Sequence, residues 1–319
     1  MKKFLLKILI FLSILTGVVL LLFFLEGDRL KTNEYMAALT DKHKRIENIK
    51  KPKIILAGGS NLVFGVDSET IERELETPIV NLGLLAKLGL KFILNELKDV
   101  AREGDLIVLS IEHDMTIQGN LELQKMTSYY NSFAHKYYRN QDELEFGKYV
   151  IEIENCHLLF KKTISSLIDK VKEDPAYMRS GLNKYGDGVY HLDIPSSNVL
   201  GSKSIIKANK DEEIELLNEF HLFAKEKGIN VVFSYGAYEI REYEKNKVAL
   251  HKVDLSMREN LTLEMIMDLE GFVYPTSYFF DSVYHLNKKG RIEHTKNLIF
   301  GLKNSNVFKQ IQLAKTSLK

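Results

Sequence analysis

Between Lys53 and Leu62 the chain reads Lys-Ile-Ile-Leu-Ala-Gly-Gly-Ser-Asn-Leu, and few folds accommodate such a stretch. Ile54 to Ala57 is apolar at every position, so neither face of a strand built from it can meet water. Short, uniformly apolar strands closed by glycine belong to parallel sheets covered by helices on both faces. Gly58 and Gly59 allow a sharp turn that leaves the next side chain uncovered. Ser60 then falls just past a strand and near a helix start, where open α/β sheets place their chemistry. An ordinary strand-to-helix loop with a capping serine has the same local sequence, so the functional reading needs a partner elsewhere. Asp281-Ser-Val-Tyr-His285, near the far end of the chain, supplies one.

The segments around Ser60 repeat one pattern. Asp67-Ser-Glu-Thr70 is an N-cap with an acidic first turn for a helix to about Glu76. Pro78 to Gly83 is a second short strand, and Leu90, Ile93, Leu94, Leu97 and Val100 give a helical period over Gly89 to Arg102. Leu106 to Ile111 is a third buried strand. After residue 206 the pattern resumes with a helix from about Asp211 to Lys227 and a strand over Val231 to Tyr235. A helix through about Leu269, a fifth strand over residues 271–274, and a last helix from about Asn287 to Leu302 follow. Strands alternating with helices predict right-handed βαβ units in a three-layer αβα, doubly wound parallel sheet.

From about 115 to 206 no βαβ unit is recognisable, and the stretch reads as a helical insertion covering the C-terminal edge of the sheet. Residues 143–173 look helical, and Asn183-Lys-Tyr-Gly-Asp-Gly188 is turn chemistry, either plain or reaching the cleft as a substrate loop. Tyr129, Tyr130, Phe133, Tyr137, Tyr138, Phe146 and Tyr149 form either a sugar-stacking platform or ordinary packing between helices.

Lys2, Lys3 and Lys7 precede an uncharged run from Ile8 to Leu25, whose 18 residues at about 1.5 Å each just span a bilayer core. The run ends in Leu25-Glu-Gly-Asp28, a poor cleavage site, which favours an uncleaved anchor over a signal peptide. Lysines before the span and acids after it put the N-terminus in the cytoplasm. The expected organisation is therefore a transmembrane anchor at 1–27, a stalk at 28–50 and an α/β domain at 51–319. That domain would lie outside the cytoplasmic membrane. The formal net charge of +1 and the absence of a basic block interleaved with aromatics argue against a nucleic-acid partner. A single cysteine, Cys156, excludes an internal disulfide and cysteine-based zinc sites.

A serine hydroxyl needs a base to attack, usually a histidine oriented by a carboxylate. Ser60 ends the first strand and His285 follows the last, and the C-terminal ends of parallel strands converge on one edge. Asp281, one helical turn before His285, is placed to hold the other ring nitrogen.

Gly58-Gly-Ser-Asn61, Asn81-Leu-Gly83 and Asp281-Ser-Val-Tyr-His285-Leu-Asn-Lys-Lys-Gly290 together resemble the SGNH (GDSL-like) hydrolase superfamily. The likeness is to its membrane-anchored, cell-envelope branch, which includes polysaccharide O-acetyltransferases and the DltD-like proteins of teichoic-acid alanylation. It spans residues 50–112 and 210–302 and leaves the insertion uncovered. The resemblance implies Ser60 as nucleophile, His285 as general base, Asp281 as its orienter, and an oxyanion hole from the backbone N–H groups of Ser60 and Gly83. It also implies acyl transfer on an envelope polysaccharide or glycopolymer without a cofactor, and a membrane-bound acyltransferase as acyl donor. Two features depart from the pattern. Ser110-Ile-Glu-His-Asp114 offers no asparagine where the superfamily's third block has one, and three residues rather than two separate Asp281 from His285.

Asn61, Glu112, His113 and Tyr284 are the candidates for contacting substrate. Glu112-His113-Asp114 as a metal site has no second cluster at ligand spacing, so a polar cluster at the strand end, facing the cleft, is the simpler reading. Two other functions fit the same residues: a non-catalytic, anchored factor for binding or assembling polysaccharide, and a plain lipase or esterase.

Overall fold

The apolar runs become strands β1 (Ile54–Gly58), β2 (Ile79–Asn81), β3 (Leu106–Ile111) and β4 (Asn230–Tyr235), with shorter strands β5 (Tyr238–Glu239), β6 (Glu264–Met265) and β7 (Val273–Tyr274). The computed structural model describes residues 2–26, 32–140, scattered positions from 143 to 160, 174–201 and 205–317. Five strands make one sheet in the order β2-β1-β3-β4-β6, every pair parallel. The order runs outward in both directions from β1 and β3, so their C-terminal ends flank the topological switch point where doubly wound sheets bind ligands. Strands β5 and β7 form a separate parallel pair.

Alternate residues of each central strand face opposite cores, as a parallel sheet covered on both sides requires. Ile55, Ala57, Ile107, Leu109 and Phe233 pack with Leu94 and Leu97, Leu217 and Phe220, and Leu250. Those residues come from helices spanning Leu90–Val100, Asp211–Glu226 and Ile240–Asn260. Ile54, Leu56, Val108 and Val232 face Ile71, Leu298, Leu302 and Phe308 instead, from helices at Ser68–Leu75, Lys288–Asn304 and Asn306–Ser317. The expected α/β class with a parallel sheet describes this arrangement. Asp67 caps the Ser68 helix as its sequence predicts, accepting the Thr70 N–H.

Three expectations need correction. The fifth strand of the main sheet is Glu264–Met265, beside β4, whereas Val273–Tyr274 pairs with Tyr238–Glu239. The helix expected to run to Leu269 ends at Asn260, because Leu261 turns extended to enter β6. The segment read as a stalk is built into the domain where it is described: the Ala38–Asn48 helix lies along the edge strand β2, with Leu39 fully buried. Lys42 Nζ donates to the Asn81 carbonyl at 2.9 Å and to that of Gly186 at 2.7 Å, while Arg45 Nε donates to Ile79 O at 2.8 Å. These side chains satisfy carbonyls that an edge strand would otherwise offer to another chain.

Lys2–Glu26 is a single helix whose described side chains are exposed. Among the described residues no helix is long and apolar enough to cross a membrane; the run from Ile8 to Leu25 extends past the side chains described.

In the insertion, Tyr129, Tyr130 and Tyr137 are buried, so these rings are packing rather than a platform. The helix expected over 143–173 falls largely outside the described residues. The turn at 183–188 is a fastener. Asp187, wholly buried, accepts Ser68 Oγ–H at 2.6 Å, the Ser68 N–H at 2.9 Å, Asn81 Nδ2 at 2.9 Å and the Arg291 guanidinium at 3.2 Å. One carboxylate thus ties the insertion to two βα loops and to the last long helix.

Asp187→Ala should destabilise the protein by about 3 kcal/mol in chemical denaturation, because Arg291 would keep a buried charge with only the longer Asp67 contact at 4.0 Å. Burial also pushes the His113, His191 and His294 imidazoles down to about 4. Unfolded histidines bind protons near pH 6.5 while these folded ones do not, so stability should fall as pH drops from 6.5 toward 4. The expected loss is on the order of 2 kcal/mol per group, and His294→Phe should flatten part of the slope in melts recorded across that range.

Candidate active site

The site forms where β1 and β3 end side by side. Their register pairs Gly58 with Ser110, and a Cβ on Gly58 would collide with the Ser110 carbonyl oxygen. A Cβ on Gly59 would collide with the Glu112 carboxyl and come within 2.9 Å of the Ala86 backbone nitrogen. Gly59 has φ −90°, in ordinary extended space, so both glycines are required by close approach rather than by an unusual turn. Ser60 follows as the first residue of a short helix, Ser60–Gly65, with its hydroxyl at the mouth of the sheet.

His285 Nε2 lies 2.9 Å from Ser60 Oγ across 225 residues of sequence, and Nδ1 lies 2.8 Å from Asp281 Oδ1. The imidazole is fixed by stacking on Phe64, with ring centres 4.4 Å apart. The three residues Ser60, His285 and Asp281 are therefore brought together in hydrogen-bonded sequence. Asp281 and His285 are not related by a helical turn, as the spacing had suggested. They occupy a tight loop closed by the Phe279–Leu286 bridge and by the Phe280 N–H donating to His285 O at 2.8 Å, which absorbs the extra residue. The end of the insertion pins this loop, with Gly201 N–H on Asp281 O at 2.8 Å and Val283 N–H on Gly201 O at 3.1 Å.

Tyr177, from the insertion, was not legible as a site residue. Its hydroxyl donates to Asp281 Oδ2 at 2.6 Å and lies 3.0 Å from His285 Nδ1. Burial pushes the Asp281 carboxyl up, but the hydrogen bonds from His285 and Tyr177 outweigh it and hold the group below its usual range. Burial and the Asp281 contact drive the Tyr177 phenol upward, so it remains a donor. An ionised Asp281 fixes the ring with Nδ1 protonated and Nε2 free to accept the serine proton.

The other expected residues divide. Gly83 packs within 2.7 Å of the Gly59 carbonyl for a hypothetical Cβ, yet its N–H donates to Asn81 Oδ1 at 3.0 Å. That hydrogen bond ties up the donor expected in an oxyanion hole. Asn61 donates through Nδ2 to Ser110 Oγ at 3.0 Å, and its buried Oδ1 has no hydrogen-bond partner among the described residues. Its backbone N–H donates to Glu112 Oε1 at 3.0 Å, and the same Oε1 lies 3.3 Å from Ser60 Oγ. Glu112 therefore touches the serine directly. His113 instead packs between Tyr235 and Tyr238, its buried Nε2 without a partner among the described residues. Tyr284, stacked on Tyr238 and almost wholly buried, belongs to the core. Among the described residues no group of three or more His, Cys, Asp or Glu side chains is placed to hold a metal ion.

Compared with known proteins, the chain matches no family model and no curated sequence.

Tyr177→Phe removes one of two donors on Asp281, so the Asp281 carboxyl should titrate at higher pH in a carbon-13 NMR titration of the variant than in the wild type. No change in that titration would mean that the tyrosine hydroxyl does not act on the carboxylate.

Proposed function

We propose that the chain is a serine-dependent acyl-transfer enzyme of the SGNH type, working on a cell-envelope polysaccharide or glycopolymer. The observation that carries this reading is the relay of Ser60 Oγ, His285 and Asp281 at 2.9 and 2.8 Å. In the proposed reaction His285 Nε2 takes the proton of Ser60 as Oγ attacks an ester carbonyl, and returns it to the leaving alcohol. Water or a sugar hydroxyl then resolves the acyl-enzyme, giving esterase or transferase action. Transfer is favoured by the sequence of the first 27 residues, which reads as an anchor holding the domain on the outer side of the cytoplasmic membrane. An anchored enzyme meets acyl groups handed over by a membrane-bound acyltransferase, the partner that the resemblance implies.

The purified chain should react with a fluorophosphonate probe, and labelling should vanish in Ser60→Ala and fall on the order of 10³-fold or more in His285→Ala. A wild type that stays unlabelled at high probe concentration would favour the non-catalytic binding factor. In cells, acetyl content of the envelope polysaccharide should fall in a Ser60→Ala strain if the enzyme transfers and rise if it hydrolyses.

A further inference from the structure

The first residues described after the N-terminal helix, Thr32 to Tyr35, are built into the wall of the cleft. Asn33 O accepts the Arg179 N–H at 2.9 Å and Asn33 Oδ1 accepts the Ser180 N–H at 2.8 Å, while Glu34 and Met178 form an antiparallel bridge. Arg179 holds the same segment from the next helix, its Nε and Nη2 each donating to the Asp41 carboxylate at 2.6 Å. Tyr35 is buried, and its hydroxyl donates to Leu84 O at 2.9 Å. Its ring meets that of Tyr177 edge-on with centres 6.1 Å apart, and Tyr177 stands at the same distance from the His285 ring. Tyr177 is also the residue whose hydroxyl reaches Asp281 and His285. The chain therefore runs from the N-terminal helix almost directly to the relay.

This attachment acts as a ruler. Helix Lys2–Glu26 ends six residue steps before Thr32, and a chain covers about 3.5 Å per step at full stretch, so those steps span no more than about 21 Å. From Asn33 onward the hydrogen bonds to Arg179 and Ser180 and the burial of Tyr35 take up any further slack. With the run from Ile8 to Leu25 as an anchor, the cleft stays close to the membrane surface. A short tether raises the effective concentration of whatever shares the bilayer and does nothing for a substrate held elsewhere.

Resting on the readings of that run as an anchor and of Ser60 as nucleophile, we propose that the glycan ester meets Ser60 while it is still joined to a lipid of the same bilayer. The reaction itself is unchanged. The acyl carbon bonds to Ser60 Oγ as the ester C–O bond breaks, and the Ser60 proton passes through His285 Nε2 to the departing hydroxyl of the lipid-linked glycan. The glycan leaves with its lipid, and the acyl group stays on the enzyme for water or a second hydroxyl.

The full-length chain in nanodiscs tests the proposal, with helical spacers of about 10, 20 and 30 residues inserted after Gly27. Each ten helical residues lift the domain by about 15 Å. Two fluorophosphonates report on Ser60, one soluble and one joined through a disaccharide to a lipid tail in the nanodisc. Labelling by the lipid-held probe should fall stepwise with spacer length, on the order of tenfold or more by about 20 residues, while the soluble probe keeps its wild-type rate throughout. In the wild type the lipid-held probe should also react faster in the protein's own nanodisc than in separate ones. Equal labelling at every spacer length, a parallel fall with the soluble probe, or no advantage for the shared nanodisc overturns the proposal while Ser60 labelled by the soluble probe leaves the nucleophile reading intact. A wild type that the soluble probe does not label overturns both. A chain that alkaline carbonate strips from vesicles overturns the anchor reading and this proposal with it.

Discussion

Strand β1 must lie against β3 without side chains between their ends, and the arrangement at the cleft follows from that closeness. The register that sets Gly58 on Ser110 puts the two following segments within hydrogen-bond reach. Ser60 emerges from one and Glu112 from the other, 3.3 Å apart. A Cβ at position 58 would meet the Ser110 carbonyl oxygen and push the strands apart, and one at position 59 would displace the Glu112 carboxyl from the hydroxyl. A packing constraint of the sheet is thus also an electrostatic constraint on the serine.

The opposite wall of the cleft depends on the insertion. Tyr177 steadies Asp281, Gly201 pins the loop that carries it, and His191 Nε2–H donates to Leu286 O at 3.0 Å. Asp187 fastens the same region to Ser68, Asn81 and Arg291. The segment between 174 and 201 also places Leu200 and Tyr185 in the cores on the two faces of the sheet, and its Tyr177 hydroxyl lies 3.0 Å from His285 Nδ1. The insertion is therefore part of the site's framework as well as a cover for the sheet.

Much of this was legible from periodicity alone. Leu106 to Ile111 is a strand with the bounds its apolar run suggests, and Asp67 caps the helix that its sequence announces. The pairing of Ser60 with His285 followed from the convergence of parallel strands, a topological rule that needs no coordinates. What escaped had weak local signals. Strand β6 is two residues, Glu264 and Met265, with no apolar run to mark it. Helix Ala38–Asn48 is polar enough to read as a stalk, because its buried Lys42 and half-buried Arg45 answer the backbone carbonyls of Asn81 and Ile79. Tyr177 stands in a stretch with no periodic pattern, and its role comes from tertiary placement. Glu112 was visible as a polar residue at a strand end and a candidate for contacting substrate; that its carboxyl touches Ser60 depends on the absence of Cβ atoms across from it.

The 225-residue separation of hydroxyl and imidazole bears on how the protein comes into being. Contacts closed over so long a loop carry the largest chain-entropy cost and form late. During synthesis the first βα unit is complete while the segment bearing His285 has yet to be made. The contact between Ser60 and His285 therefore forms only when the C-terminal segments dock.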